Sequence, residues 1–258
     1  AGDRRMTSTA KAIIAAFAVF FVLALMQLFA KLLSDVYHPV EIAFWRNLIG
    51  TLMILGYIFV FDQGRKRLIT HRPRAHLLRA IVGTSGIVAT FAAFAHMPMA
   101  ETTTLLFTAS LLMPVFGFIF LRESVGPMRW AAVIVGFSGV LLLTGPGTAV
   151  DATGLALGLI SAVLIALVTV ILRWMGTSEH PLTTAVYFTG LGSLCLIPAM
   201  PFFAHMIRVD TIPLLLAVGI SGGLAQILLS LTYIYLKPAT VAPINYTGLI
   251  WGVLFDIV

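Results

Sequence analysis

Nine long apolar runs follow one another along the chain and limit what it can fold into. Each run has about 20 residues, the length at which an α-helix crosses a hydrocarbon layer of roughly 30 Å. Only 10% of the 258 residues are charged and the mean hydropathy is +1.03, whereas about a quarter of the residues in a soluble domain are charged. The sequence therefore predicts an all-α, polytopic integral membrane protein. The predicted spans are 12–33, 42–61, 77–95, 102–121, 127–145, 154–172, 185–204, 212–233 and 239–258.

The Lys and Arg residues indicate how these spans are oriented. If residues 1–11 face the cytoplasm, the linkers on that side hold most of the 16 Lys and Arg residues, with Arg79 counted among them, while Arg208 lies in an outer linker. Because positive charge is enriched in cytoplasmic linkers, we expect a multi-pass protein of the inner membrane with a cytoplasmic N-terminus. The same bias accounts for the isoelectric point of about 9.8, so we expect no nucleic-acid partner.

One cassette of small residues occurs twice. The stretch VGTSGIVA at 82–89 opens the third span, and VGISGGLA at 218–225 opens the eighth. Five spans separate the copies, and an odd separation reverses the orientation of the second copy relative to the first, as in transporters built from inverted repeats. Small residues also let helices approach closely. We therefore expect four glycines to be helix-packing or hinge positions: Gly83, Gly86, Gly219 and Gly222.

Longer motifs carry a resemblance to a known family. They are FWRNLIG in the second span, RAIVGTSGIVATFAAFAHMPMAETTTLLF across the third and fourth, MPVFGFIFLRESVGPMRWAAVIVGFSGVLLLTGP through the fifth, and PATVAPINYTGLIWGVLF in the ninth. Over essentially its whole length the chain resembles EamA-type members of the drug/metabolite transporter superfamily. The resemblance implies ten helices in two inverted five-helix repeats, of which about nine are present here.

The same resemblance implies a division of the chain. A cytoplasmic N-terminus at 1–11 precedes a first five-helix repeat at 12–145, and a second, inverted repeat at 154–258 is incomplete at its C-terminal end. A tenth helix would need about 35 to 40 further residues if the second repeat mirrors the first. We expect these residues to follow Val258 in the native protein.

Few titratable residues lie in the predicted spans, which argues against an enzyme. The charged ones are Lys31, Glu41, Arg46 and Asp256. They do not form the clusters that acid–base catalysis or metal binding needs, so we expect no catalytic residue, no cofactor and no metal site. His71 and His76 are interpreted as solvated residues of a basic linker, and Cys195 as a small core residue.

Arg46 and Asp256 are a candidate ion pair. They lie at about the same depth on spans that run in opposite directions, whereas Glu41, five residues before Arg46, points to another face of the same helix. The alternative is that Arg46 reaches the membrane surface or binds backbone carbonyls.

Nine polar or aromatic residues near the middle of the spans are candidates for substrate binding. Transporters built from repeats hold their substrate near mid-bilayer, where the repeats meet. Gln226 occupies the position of Thr90, so both copies place a hydrogen-bonding group after the cassette. The candidates are Gln27, Thr90, Phe107, Ser110, Thr169, Gln226, Asn245, Tyr246 and Trp251.

These candidates predict a cavity with hydroxyl, amide and aromatic groups and little fixed charge. Such a cavity suits a zwitterionic or neutral solute better than a polyanion. The resemblance implies transport by alternating access and favours export of amino acids or related compounds, so we expect such an exporter, with weak or no proton coupling. Its expected partners are a small-molecule substrate and the lipid bilayer, and it is expected to be a monomer or weak homodimer. A multidrug or other metabolite carrier, for uptake or efflux, and a non-transporting membrane scaffold are the alternatives.

Overall fold

A computed structural model describes residues 2–61, 68–122, 124–143, 151–175, 179–235, 244–245 and 247–256. Within these residues the longer elements are α-helices, and two short 3-10 turns lie at Ile197–Ala199 and Val209–Thr211. The helices are α1 (Gly2–Ser34), α2 (Pro39–Phe61), α3 (Pro73–Phe94), α4 (Met99–Leu106), α5 (Thr108–Leu121), α6 (Pro127–Leu143), α7 (Ala152–Met175), α8 (Pro181–Leu196), α9 (Met200–Phe203), α10 (Ile212–Tyr235) and α11 (Thr247–Asp256).

Among the residues that the structure describes, seven helical segments are long and apolar enough to cross a membrane, which confirms the prediction of a polytopic all-α membrane protein. Two further helices, α6 and α11, fall in the remaining predicted runs and have 17 and 10 residues. The seven segments are Ile13–Ser34, Pro39–Phe61, Pro73–Phe94, Met99–Leu121, Ala152–Met175, Pro181–Phe203 and Val209–Thr232.

Proline sets where several helices begin. α2, α3 and α8 start at Pro39, Pro73 and Pro181, because proline fits the first helical position, where its missing N–H would have no partner in any case. The predicted spans instead began at the first apolar residues, up to four residues later. As a result, α3 includes His76, which the sequence pattern assigned to a linker; Arg79 lay within the predicted span 77–95 but was counted with the cations of that linker.

The fourth span is interrupted at Phe107. α4 ends one residue before it and α5 begins one residue after it, although both belong to the apolar segment Met99–Leu121. Pro114 lies inside α5, where it lacks an N–H and its ring crowds the carbonyl of Ser110. This span therefore combines an interruption and an internal proline, and both Phe107 and Ser110 prove to lie at the cavity described below.

The helices pair in the same way in the two halves of the chain. α1 packs along α10 as α7 packs along α3, α2 packs on α10 as α8 packs on α3, and α5 packs on α7 as α11 packs on α1. Exchanging α1 with α7, α2 with α8, α3 with α10 and α5 with α11 reproduces these contacts. Inverted repeats would give such a pattern, and the repeat boundaries stay a prediction. α2 and α8 also contact each other, and each of them contacts both α3 and α10, so these four helices form the centre of the bundle.

Large apolar side chains cover much of the outside of the bundle, among them Phe59, Phe118 and Leu194. A helix that is apolar on every side gives no sequence signal for which face is buried. Cys195 is exposed next to Leu194 on α8. The interpretation of Cys195 as a core residue is therefore wrong, because this face of α8 points out of the bundle.

Candidate functional site

A cavity of about 250 Å³ lies among helices of both halves. Seven of the nine predicted site residues line it: Gln27, Thr90, Phe107, Ser110, Thr169, Gln226 and Asn245. Tyr246 lies outside the described residues. Trp251 is not among the lining residues; its ring lies against Phe21, with ring centroids 4.9 Å apart, and against Phe255 at 6.4 Å.

Hydrogen bonds already engage several polar groups of the cavity wall. Thr90 and Thr169 each donate to a carbonyl of their own helix, and Thr90 Oγ1 also meets Ser161 Oγ at 2.5 Å. Asn245 Nδ2 donates to Ser110 Oγ at 3.5 Å. Because a primary amide carries two N–H donors, Asn245 keeps one donor for a bound solute.

Arg46 of α2 lines the cavity although it is only 1% exposed. Its Nη1 donates to Asn47 Oδ1 at 2.6 Å and its Nη2 to the carbonyl of Gly222 at 3.4 Å. Contact with a backbone carbonyl is the alternative that the sequence left open. The predicted ion pair with Asp256 stays a prediction, because the Asp256 side chain lies outside the described residues.

Arg79 of α3 is buried beside the cavity, with 2% of its surface exposed. Its Nη1 donates to the carbonyl of Thr184 at 2.7 Å and its Nη2 to Gln226 Oε1 at 3.2 Å. Its assignment to a cytoplasmic linker is therefore wrong. α3 begins six residues earlier, at Pro73, and the side chain of Arg79 points into the bundle.

The Phe188 ring of α8 lies beside both arginines. The guanidinium carbon of Arg46 lies 5.7 Å and that of Arg79 4.5 Å from the ring centroid, a distance at which the face of an aromatic ring attracts a cation. In the part of the chain that the structure describes, neither guanidinium meets a carboxylate.

This pair of cations changes the electrostatics predicted for the cavity. Removing a charge from water costs several kcal/mol, and neutral acceptors and one aromatic ring offset only part of that cost. Arg46, which lines the cavity beside Phe188, and Arg79, which lies behind this wall, therefore carry positive charge that nothing described in the chain neutralises. The prediction of a cavity with little fixed charge is wrong.

Glycines of the cassette make room for this wall. A Cβ atom at Gly83 would overlap the Phe188 ring, and a Cβ atom at Gly222 would lie 2.6 Å from Arg46 Nε. Helices approach closely where side chains are absent. Two of the four predicted packing glycines thus seat the two side chains that face each other across the centre of the bundle.

Arg46 and Phe188 occupy equivalent places in the two halves. Each is the seventh residue after the proline that begins its helix, Pro39 in α2 and Pro181 in α8. Both helices also contain the sequence pattern AxxxxxxG at the same distance from this proline. The pattern ends at Gly50 in α2 and at the corresponding glycine in α8. This spacing is the sequence signal that could have placed Arg46 in the site.

Hydrogen bonds join the two halves of the chain at the end of the bundle where α1 ends. Glu41 is 1% exposed, and its Oε2 accepts a hydrogen bond from the backbone N–H of His205 at 3.2 Å. The Tyr37 hydroxyl lies 2.6 Å from Thr211 Oγ1 and accepts from the backbone N–H of Arg208. These contacts connect the start of α2 to the segment before α10.

A second cluster joins the halves at the opposite end. Glu179 Oε1 accepts from Thr70 Oγ1 at 3.0 Å and from the His71 backbone N–H at 2.9 Å. Burial alone would raise the pKa of Glu179, but these hydrogen bonds and the nearby His76 lower it. His76 is fully buried, 3.7 Å from Glu179 Oε2, and stacks on Tyr187, so its interpretation as a solvated residue is wrong.

Membrane-spanning helices that enclose a cavity lined from both halves form the architecture of a secondary transporter. Comparison with known proteins identifies the family. Residues 10–145, more than half of the chain, match the EamA-like transporter family, and the chain belongs to that family. It is a multi-pass membrane transporter and not an enzyme, with a small-molecule substrate and a lipid environment.

Named relatives extend the similarity over most of the chain. The chain is 28% identical over 241 residues to the pseudopaline exporter CntI of Pseudomonas aeruginosa strain UCBPP-PA14, covering 91% of this chain and 84% of that one. It is 30% identical over 212 residues to a riboflavin transporter of Rhizobium johnstonii, covering 79% and 67%. It is 24% identical over 221 residues to an S-adenosylmethionine uptake transporter of Rickettsia bellii, covering 86% and 75%.

A solved crystal structure has the same fold. It superposes on this chain with a TM-score of 0.71, covering 96% of this chain and 87% of that chain at 17% sequence identity.

Proposed function

We propose that this transporter exports amino acids or related small metabolites across the inner membrane by alternating access. The cavity is the observation that carries the proposal, because helices of both halves line it. Its volume of about 250 Å³ lies below the roughly 300–1,000 Å³ of pockets that take drug-sized ligands. This size favours a small metabolite over a bulky drug.

The relatives support a metabolite carrier without choosing a direction. One is named an exporter, and another is named an uptake transporter. Export is therefore the part of the proposal that rests on the resemblance alone, and uptake of a metabolite is the second candidate.

Counterflow in proteoliposomes tests the proposal. Vesicles that contain the purified protein are loaded with one unlabelled compound, and entry of the same radiolabelled compound is followed for amino acids, nucleosides and quaternary amines in turn. We expect exchange of one or more amino acids and none in protein-free vesicles. Exchange confined to nucleosides or quaternary amines would replace the proposed substrate class, and no exchange of any compound in the panel would contradict the proposal of an amino-acid substrate.

We also propose a cytoplasmic N-terminus in a monomer or weak homodimer. Arg72, Arg74 and Arg173 lie at the end of the bundle where α1 begins, which supports this orientation through the enrichment of cations on the cytoplasmic side. A protease added to intact spheroplasts should spare an N-terminal tag and digest it after lysis. Digestion before lysis would reverse the orientation.

We propose that transport is coupled weakly, or not at all, to the movement of protons. Among the described residues that line the cavity there is neither a carboxylate nor a histidine, and proton-coupled carriers use such groups to carry the proton. Exchange should therefore persist without a pH gradient and gain little from one. Strict dependence on an imposed gradient would contradict this.

A further inference from the structure

Arg46 presents an unsatisfied cation to the cavity. Its Nη atoms bond to neutral oxygens, one of them at the long distance of 3.4 Å, and its Nε has no hydrogen-bond partner among the described residues. Thr103, which also lines the cavity, has a buried hydroxyl without a partner in the same part of the chain. Both groups are polar, buried and placed where a solute would contact them.

Arg79 adds a second positive charge behind the cavity wall. It does not line the cavity, but it donates to Gln226 Oε1, and Gln226 does line it. With its oxygen held by Arg79, Gln226 offers its amide N–H groups to other acceptors. The positive charge and the free donors thus lie on the same wall.

A purely structural role explains this arrangement poorly. Arginines that only join helices are ordinarily paired with carboxylates, because an uncompensated buried charge costs several kcal/mol. Here two like charges share the Phe188 ring and add mutual repulsion to that cost. An anion that enters the cavity would offset both the cost of the buried charge and the repulsion between the arginines. A planar carboxylate fits the fork of N–H donors on a guanidinium group.

We propose that Arg46 binds the carboxylate of the transported solute, and that Arg79 and Gln226 position and strengthen this contact. The inference rests on the proposed function and narrows it to carboxylate-bearing metabolites. The remainder of the solute meets a largely apolar wall, with Phe91, Met113 and Leu229 among its residues. A solute with one carboxylate and a mostly apolar or neutral body fits best.

Competition by matched compounds tests the carboxylate. Counterflow of the best amino acid from the panel is measured in the presence of the same unlabelled amino acid or of its carboxamide, which lacks the negative charge. We expect the carboxamide to compete at least tenfold more weakly. Equal competition would overturn the inference and leave the proposed function standing. Transport of a carboxylic acid other than an amino acid, with no transport of amino acids, would contradict the proposed function and leave the inference standing.

Isosteric variants separate binding from structure. Asn47→Asp places a carboxylate where Asn47 Oδ1 now lies, 2.6 Å from Arg46 Nη1, and so gives Arg46 an internal counter-ion. We expect at least a tenfold loss of apparent affinity with no loss of thermal stability. A structural role predicts the same or higher stability but an unchanged affinity, and an unchanged affinity would overturn the inference.

Two further variants keep this test decisive. Thr51→Val is the matched control, because Thr51 donates to the carbonyl of Asn47 one turn along α2 and does not line this cavity; it should exchange like the parent protein. If Asn47→Asp does not fold, Gln226→Glu makes the same measurement at Arg79, 3.2 Å from Oε1. Loss of affinity in folded Gln226→Glu supports the inference, and parent-like affinity rejects it.

Discussion

The two copies of the small-residue cassette have nearly the same sequence but lie against different side chains. In α3, the missing side chain of Gly83 leaves room for the Phe188 ring, and in α10 that of Gly222 leaves room for Arg46. Phe188 and Arg46 are equivalent residues of α8 and α2. The duplicated cassette therefore determines how closely the helices approach, while the facing helix decides whether the contact is apolar or charged.

The same difference continues beyond the cassette. Thr90 bonds to its own helix and to Ser161, whereas Gln226, its equivalent, accepts from Arg79. Arg79 itself corresponds to Leu215 in the second copy. At these positions the positive charge belongs to one half only. A transporter that rocks its repeats about one site needs similar packing in both halves, but recognition of an asymmetric solute needs different chemistry in each.

The largest expected difference between the two halves comes from replacing their equivalent residues, Arg46 and Phe188, by leucine. Arg46→Leu should lower the exchange rate at least 100-fold, about 2.8 kcal/mol, because the solute loses its cationic partner. Phe188→Leu removes ring contacts and should lower it about tenfold. Initial rates in proteoliposomes, normalised to folded protein, measure both. Equal losses would show that the two halves contribute alike.

The cassette glycines provide the next largest difference. Gly222→Ala should lower exchange about 30-fold because its methyl group displaces Arg46, whereas Gly83→Ala should act mainly on stability, by roughly 1–3 kcal/mol, through overpacking against Phe188. Gly56→Ala is the control, because a methyl group there would meet nothing within 4 Å. Rates and melting temperatures of the three variants distinguish the effects, and a larger rate loss in Gly83→Ala would reverse the assignment.

Sequence features that are local predicted the class, most of the helices and the position of seven cavity residues. Apolar length and small-residue spacing need no knowledge of neighbours. His76 was misassigned because the first turn of α3 is polar, and Arg79, in the next turn, because it was counted with the linker cations; only the facing Tyr187 and Gln226 show that the two side chains are buried. The charged wall was missed for the same reason, since it depends on Phe188 lying between helices far apart in sequence.

Amide and hydroxyl side chains of the cavity wall should differ in how much they contribute to the exchange rate, and this difference is smaller than the two above. Gln226→Ala and Asn245→Ala should each lower exchange at least tenfold, about 1.4 kcal/mol, because each removes N–H donors from the cavity wall. Thr90→Val should cost only about threefold, since the Thr90 hydroxyl is already engaged by Gly86 and Ser161. Parent-like exchange in both amide variants would remove them from the site. Loss of folded protein would assign them a structural role instead.

The smallest expected effect concerns the contact between the halves at Glu179, and it appears in stability rather than in transport. The pKa of Glu179 is lowered in the folded protein, so the ionised form stabilises the fold above the ordinary value near 4.5. This stabilisation is lost as the pH falls through the lowered pKa of the folded state. Glu179→Gln keeps the shape of the side chain, and its oxygen can still accept from Thr70 or His71, but it removes the charge. We therefore expect the parent protein to melt a few degrees higher than Glu179→Gln at pH 6 and at nearly the same temperature at pH 3. A constant difference between pH 3 and 6 would mean that the charge of Glu179 does not contribute to joining the two halves.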